Sequence, residues 1–199
     1  MDVDNRLKFD AISDIVDIPT VIHVVDFDDT AVTKFLGEFD RALNSYQSVI
    51  PVVINSYGGR VYSLLSMVDA IKSSPKPVMT VATGKAMSCG AILLACGSPG
   101  LRYATARSTV MIYDASHMSY GKVEDAKASV EELDRLNKII LGILDQHGGK
   151  QPGYFNEMLD QRNRVDWILS PEEAVTHGVV DRVGYPSLEV TVKLDTRIV

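Results

Sequence analysis

Three short stretches of this chain carry residue types that can make or break an acyl bond. The first is Gly84-Lys85-Ala86-Met87-Ser88-Cys89-Gly90, where Ser88 stands between an apolar β-rich run and an apolar helical run. The pentapeptide A-M-S-C-G around Ser88 departs from the G-x-S-x-G nucleophile elbow only at Ala86, where the elbow has its first glycine. Small neighbours matter there because the turn is tight and a substrate backbone must come close. A helix starting at this serine also offers free N–H groups to developing negative charge. The same serine has a plainer role open to it, as the N-cap of that helix. The second stretch is Gly58-Gly59, again between a strand-like and a helix-like run. Two glycines let backbone N–H groups point into a cleft and bind an oxyanion or a carbonyl; they equally suit a tight turn with no chemistry. The third is residues 113–117, Tyr-Asp-Ala-Ser-His, after the β-rich run TVMIY that ends on Tyr113.

The elements that must hold these residues follow from hydrophobic periodicity. Residues 20–25, 49–54, 78–83 and 109–113 read as strands, and 178–183 as another. Residues 30–43 read as a helix with Val32, Phe35, Leu36, Phe39 and Leu43 on one side. Residues 61–71 form a second helix, stopped by Pro75 and Pro77, and residues 88–95 a third, short and apolar, after a turn at Gly84. The longest helical pattern covers 122–146, with acidic Glu124 and Asp125 at its start and His147-Gly148-Gly149 at its end. Its apolar stripe widens towards the C-terminus, which fits either core packing or a second face buried against another subunit. Short helices are expected at 152–159, with proline at the start, and at 171–177. Residues 188–194 alternate like an edge strand. The βαβα order predicts an α/β fold of parallel strands with helices across them and right-handed crossovers. In such sheets sites gather where strand C-termini meet helix N-termini, which is where all three stretches fall.

Four motifs in order resemble one family. Asn55-Ser56-Tyr57-Gly58-Gly59-Arg60-Val61 resembles the N-S-P-G-G-x-V segment of the Clp protease proteolytic subunit (ClpP). Residues 84–97 resemble its G-x-A-A-S-M-G-A-x-L-L-x-A-G, and residues 109–112 its strand leading into M-I-H-Q-P. Residues 165–181, from Val165-Asp166 through Ser170-Pro171-Glu172-Glu173-Ala174 to Asp181, resemble its R-D-x-x-x-S-x-E-E-A-x-x-x-G-x-x-D. The resemblance runs over residues 20–184. It implies a ClpP/crotonase-like fold of repeated ββα units: residues 1–18 as an axial segment, 19–121 and 147–199 as the α/β head, and 122–146 as a protruding handle helix. It also implies stacked heptameric rings, a proteolytic chamber fed by an ATP-driven AAA+ unfoldase, and peptide substrates cut by serine acyl transfer. Ser88 would attack, Asp166 would orient a histidine base, the N–H groups of Gly59 and Cys89 would form the oxyanion hole, and Gly58 would border the substrate cleft.

The base histidine of that pattern is replaced. M-I-H-Q-P reads Met111-Ile112-Tyr113-Asp114-Ala115, so Tyr113 occupies the base position. A serine hydroxyl is a weak nucleophile without a neighbouring base. A phenol with an ordinary pKa of about 10 keeps its proton at neutral pH and serves as a donor rather than a base. Two substitutes stand near in sequence. His117, four residues on, could fold back towards Ser88; Lys85, three residues before Ser88, could pair with it. His23, His147 and His177 read as strand and helix-end residues, and the Cys89 side chain is expected to turn away from the cleft. Arg164 comes one position earlier than the R-D pair requires, and that arginine belongs, in the resemblance, to contacts between rings. Tyr57 replaces the proline before Gly58-Gly59, which leaves the turn less pre-organised. Two further readings follow from the missing histidine. The chain is a catalytically impaired subunit that partners active ones, or it is a crotonase-type enzyme that applies the same oxyanion geometry to acyl-CoA.

Composition bounds the rest. At 199 residues the chain fits one domain that buries about 70% of its unfolded surface without disulfides or metal. Twenty basic against 26 acidic residues give a net charge of −6, which argues against a nucleic-acid groove. No apolar run approaches the ~18 residues of a membrane helix, and the acidic, polar N-terminus is no secretory signal. Two cysteines, spaced wrongly for a CxxC zinc site, suggest free thiols and a cytoplasmic setting. No metal or cofactor is expected.

Overall fold

The computed structural model describes residues 19–114 and 122–187. From the start of that span, β1 (Ile22–Val24) leads into α1 (Asp29–Asn44). Asp28 sets the first turn of α1 by accepting the Ala31 N–H at 2.7 Å, and Asp29 suits the positive end of its dipole. Phe35, Phe39 and Ala42 turn one stripe of α1 to the core, the two rings stacking at 5.5 Å. β2 (Ile50–Ser56) is buried over its first five residues, an unbroken apolar run of the kind a strand covered on both faces needs. α2 (Val61–Lys72) buries Leu64, Met67, Val68 and Ile71, spaced three and four apart. β3 (Val78–Met87) is followed at once by α3 (Cys89–Ala95), which is buried at every position and lies inside the molecule. β4 (Arg102–Ala104) and β5 (Thr109–Ile112) come next, then the 25-residue α4 (Val123–His147), α5 (Tyr154–Asp160), β6 (Trp167–Leu169), α6 (Pro171–Thr176) and β7 (Arg182–Val183).

The seven strands form one sheet in the order β1-β2-β3-β4-β7, with β5 beside β3 and β6 beside β5. All pairings are parallel except β5–β6. β3 organises the sheet. Its first half pairs with β4, Thr80 opposite Arg102, and its second half with β5, Met87 opposite Met111. Between the two halves its register against β2 slips: Ile54 faces Ala82, but Ser56 faces Ala86. The turn expected at Gly84 is therefore a bulge inside a continuing strand. Gly84 takes φ +71, and a Cβ there would lie 3.2 Å from Asn55 Oδ1.

Other expectations change in detail. The apolar residues that widen the α4 stripe, Ile140, Leu141, Ile143 and Leu144, are buried in the chain's own core. α5 starts at Tyr154 rather than at the proline; buried Asp145, near the end of α4, accepts the Gly153 and Phe155 N–H groups at 2.7 and 3.0 Å in place of a local cap. The strand expected over 178–183 shrinks to β7, because Val179 and Val180 bond back to the Ala174 carbonyl and close α6. β4 and β6 escape the sequence pattern, since three residues carry no readable period. The strand expected over 188–194 lies outside the described residues. No helix among the described residues is long and apolar enough to cross a membrane, and none of their His, Cys, Asp or Glu side chains group in threes as a metal would require.

A buried cation ties these layers together. The Arg102 guanidinium donates to both Asp181 oxygens, at 2.6 and 3.0 Å, and to the carbonyls of His147 and Gly178, each at 2.8 Å. It thus joins β4 to the C-terminal ends of α4 and α6, where carbonyls lack helical partners. Burial works against ionisation of Asp181, but hydrogen bonds from the Arg102 side chain and backbone outweigh it and hold the carboxyl below its ordinary range. A carboxyl depressed in this way stabilises the fold above its unfolded pKa, and that stability disappears as pH falls through the folded value. Arg102→Met is expected to cost about 2–4 kcal/mol in urea unfolding, since it strands a partly buried carboxylate and two carbonyls. Asp181→Asn should weaken the fold at pH 7 and flatten its loss of stability below about pH 4. An unchanged urea midpoint, or an unchanged acid slope, contradicts the assignment.

Candidate active site

Ser88 stands between the last residue of β3 and the first of α3 with φ 54 and ψ −123, a conformation that L-residues avoid and that costs about 1–3 kcal/mol. The fold holds it there from both sides. Its N–H donates to the Met111 carbonyl of β5 at 2.9 Å, and its carbonyl accepts the N–H groups of Ala91 and Ile92, starting α3. The hydroxyl makes no capping hydrogen bond, so the local role left open by sequence is unfilled. The side chain is half-buried.

The Gly58-Gly59 turn packs against this serine. Gly58 takes φ +104, and a Cβ on it would fall 2.6 Å from the Ser88 Cβ and 2.9 Å from the Met87 carbonyl oxygen. Gly59 forms an isolated bridge with Phe27, whose carbonyl accepts the Arg60 N–H at 2.8 Å. Burial raises the Cys89 thiol pKa, and the N–H groups of Gly59 and Cys89 beside its sulfur work against that rise. Cys89 is buried, and its thiol donates to the Gly59 carbonyl at 3.3 Å.

A cleft of about 620 Å³ opens over the serine. Ser88, Gly59 and Tyr113 line one side of it; Leu133, Leu136 and Ile140 of α4 line another. Tyr62 of α2 and Glu132 of α4, also in the lining, meet through a short hydrogen bond from phenol to carboxylate. Arg135 donates to both Glu132 oxygens at 2.7 Å, and these bonds, with that from Tyr62, hold the Glu132 carboxyl well below the usual carboxylate range. The hydrogen bond to Glu132 raises the Tyr62 phenol in turn. The α4 wall is the part of the cleft that sequence reasoning did not assign. Its signal was the apolar stripe of that helix, which periodicity cannot divide between core and cleft.

Asp166 is exposed, outside the cleft lining, and has no hydrogen-bond or ion-pair partner among the described residues. It immediately precedes β6, whose first residue Trp167 pairs with Ile112, the last residue of β5 before Tyr113. Tyr113 follows two residues after Met111, whose carbonyl holds the Ser88 N–H, and shares the cleft lining with Ser88. The following residue, Asp114, is held by Arg164 Nη1, 3.0 Å from both its oxygens, while Arg164 also binds Asp160 and Asn156. The arginine therefore serves contacts within its own chain. His117 lies outside the described residues. Lys85 turns away from the serine: its ammonium donates to Asn55 Oδ1 at 3.1 Å and lies 4.2 Å above the Tyr57 ring. His23 sits on β1, His147 ends α4, and His177, at the end of α6, is bonded through Nδ1 to the Tyr154 hydroxyl at 2.6 Å; none of the three lines the cleft.

A strained serine on a strand–helix elbow thus stands beside a diglycine turn and lines a cleft walled by a long helix, on an α/β fold. The family model described as Clp protease matches residues 19–187, and the chain belongs to that family. Over 135 residues it is 35% identical to the ATP-dependent Clp protease proteolytic subunit 1 of Corynebacterium efficiens, which covers 67% of this chain and 63% of that protein. Over 134 residues it is 33% identical to the ATP-dependent Clp protease proteolytic subunit of Deinococcus radiodurans, covering 67% of this chain and 64% of that one. The aligned stretch spans just under two thirds of either relative's length.

The contact between Gly58 and Ser88 has a measurable consequence. Gly58→Ala should destabilise the fold by more than about 1 kcal/mol, since it adds both a clash with rigid backbone and a disfavoured φ. A thermal melt at the wild-type temperature contradicts so close an approach.

Proposed function

We propose that the chain is a Clp-type serine peptidase subunit, in which Ser88 cleaves extended peptides by acyl transfer. The observation that carries this reading is Ser88 itself, held in a strained elbow in the lining of the cleft with its hydroxyl free of a capping role. In the proposed reaction the Ser88 oxygen adds to a peptide carbonyl, and the oxyanion accepts from Gly59 and Cys89 N–H. The serine proton must pass to a base and then to the leaving amine. Tyr113, a phenol, is suited to donate and to position but not to accept that proton. His117 is the proposed base, and Asp166, just before β6, its orienting carboxylate. Gly58, expected at the substrate cleft, is outside its lining and packs against Ser88, so its part is to let the turn approach the serine. Stacked rings built through α4, and feeding by an AAA+ unfoldase, belong to the same proposal by kinship with the relatives above.

A second reading draws on Tyr113 itself. With a phenol at the base position the chain acts as a non-catalytic subunit that completes rings with active ones. Fluorophosphonate labelling and turnover of a small fluorogenic peptide separate the two. The peptidase reading expects Ser88 to be labelled, Ser88→Ala to abolish labelling and turnover, and His117→Ala to lower kcat by about 10²–10⁴-fold. Tyr113→His should raise turnover by a similar factor. Labelling of Ser88 without turnover, restored only by Tyr113→His, supports the non-catalytic subunit. Absence of labelling in every variant removes the acyl-transfer site altogether.

A further inference from the structure

Two walls of the cleft are joined across it. Tyr62 is the second residue of α2, on one wall; Ser129, Glu132, Leu133, Leu136 and Ile140 recur at helical spacing along one face of α4, on the other. Depth separates these residues. Leu136 and Ile140 are 6% and 5% exposed and make an apolar floor, whereas Tyr62 is 60% exposed. The Glu132 and Arg135 side chains are 38% and 55% exposed. The hydrogen bond from the Tyr62 phenol to the Glu132 carboxylate therefore runs at the mouth, above that floor.

The bridge is built to stay closed. Glu132 Oε1 accepts from both Tyr62 and Arg135 Nη2, and Arg135 Nε takes the other oxygen, which aims the carboxylate. An exposed ion pair three residues apart on a helix adds little stability, so orientation is what this one supplies. These bonds keep Glu132 ionised and Tyr62 protonated throughout the neutral range, so acceptor and donor are both in place.

We infer that Tyr62 is a specificity-determining residue: its bridge to Glu132 narrows the mouth of the cleft and selects against bulky groups beside the carbonyl that Ser88 attacks. This rests on the acyl-transfer reading above and deepens it by naming what limits the substrate. The floor suits a large apolar group, but the mouth admits one only when the bridge opens. Anchoring is the decisive part, because an exposed ring with no hydrogen-bond partner turns freely about its χ1 and clears the opening.

The test uses two fluorophosphonates on the full chain, one with a methyl and one with a naphthylmethyl group on phosphorus. The readout is the ratio of their second-order labelling rates at Ser88, which cancels any change common to both, such as a general loosening of α4. Tyr62→Phe keeps the ring and removes only the hydroxyl; it should raise the naphthylmethyl-to-methyl ratio about tenfold, the worth of one hydrogen bond to a charged group. Glu132→Ala should raise the ratio too. Adding Tyr62→Phe to Glu132→Ala should then move it by less than about twofold, because the hydroxyl has already lost its acceptor. An unchanged ratio in Tyr62→Phe, or the same rise in both backgrounds, overturns the inference. Should neither probe label Ser88 in any variant, the acyl-transfer reading falls separately, and the neutral apolar dye Nile red decides the role of the bridge. Brighter Nile red fluorescence with Tyr62→Phe than with wild type shows that the bridge guards the apolar floor; equal fluorescence overturns it.

Discussion

The position of Ser88 depends on β3 being longer than the strand beside it. Between Ala82 and Ala86 it carries two more residues than β2 carries between Ile54 and Ser56. The extra length is taken up at Gly84, where the strand leaves β4 and continues beside β5. A bulge of two residues preserves the alternation of faces, so Ala86 stays buried as its partners on β2 require. The strand thus runs on to Met87 and delivers Ser88 beside the Gly58-Gly59 turn, with its N–H on β5. The cleft, the turn and the start of α3 all take their place from that continuation.

Strain of the kind found at Ser88 persists only where the surroundings over-determine it. Here they do so through backbone and through the interior. Met111 holds the serine N–H, α3 holds its carbonyl, and α3 is itself buried on every side. The Arg102–Asp181 pair secures the far side of the same sheet by collecting the carbonyls that end α4 and α6. A buried ion pair is weak evidence of net stability, but it fixes which helix ends meet which strand. The α4 wall of the cleft is anchored through that meeting.

Tyr113 brings a phenol into the cleft lining just beyond β5, and Asp114 after it is clamped by Arg164. An arginine with three partners in its own chain is spent on fixing where residues 113 and 114 leave the sheet.

Much of the frame was legible in the residues. Periods of two and of three to four marked β2, α1, α2 and α4, because those elements are long enough to show a face. The A-M-S-C-G and diglycine motifs marked the two halves of the site, because tight turns admit few residue types. What stayed illegible has one cause. β4 and β6 are too short for a period, the stripe of α4 does not say which apolar residues face a cleft, and Gly84 reads alike as a turn or a bulge. A sequence determines what each segment can do by itself: which residues turn, which face is apolar, which side chains carry chemistry. Only the tertiary structure decided that the Cys89 thiol meets the Gly59 carbonyl, that Arg102 gathers two helix ends and that Ile112 pairs with Trp167, because distances between segments remote in the chain are set by packing, which no local pattern encodes.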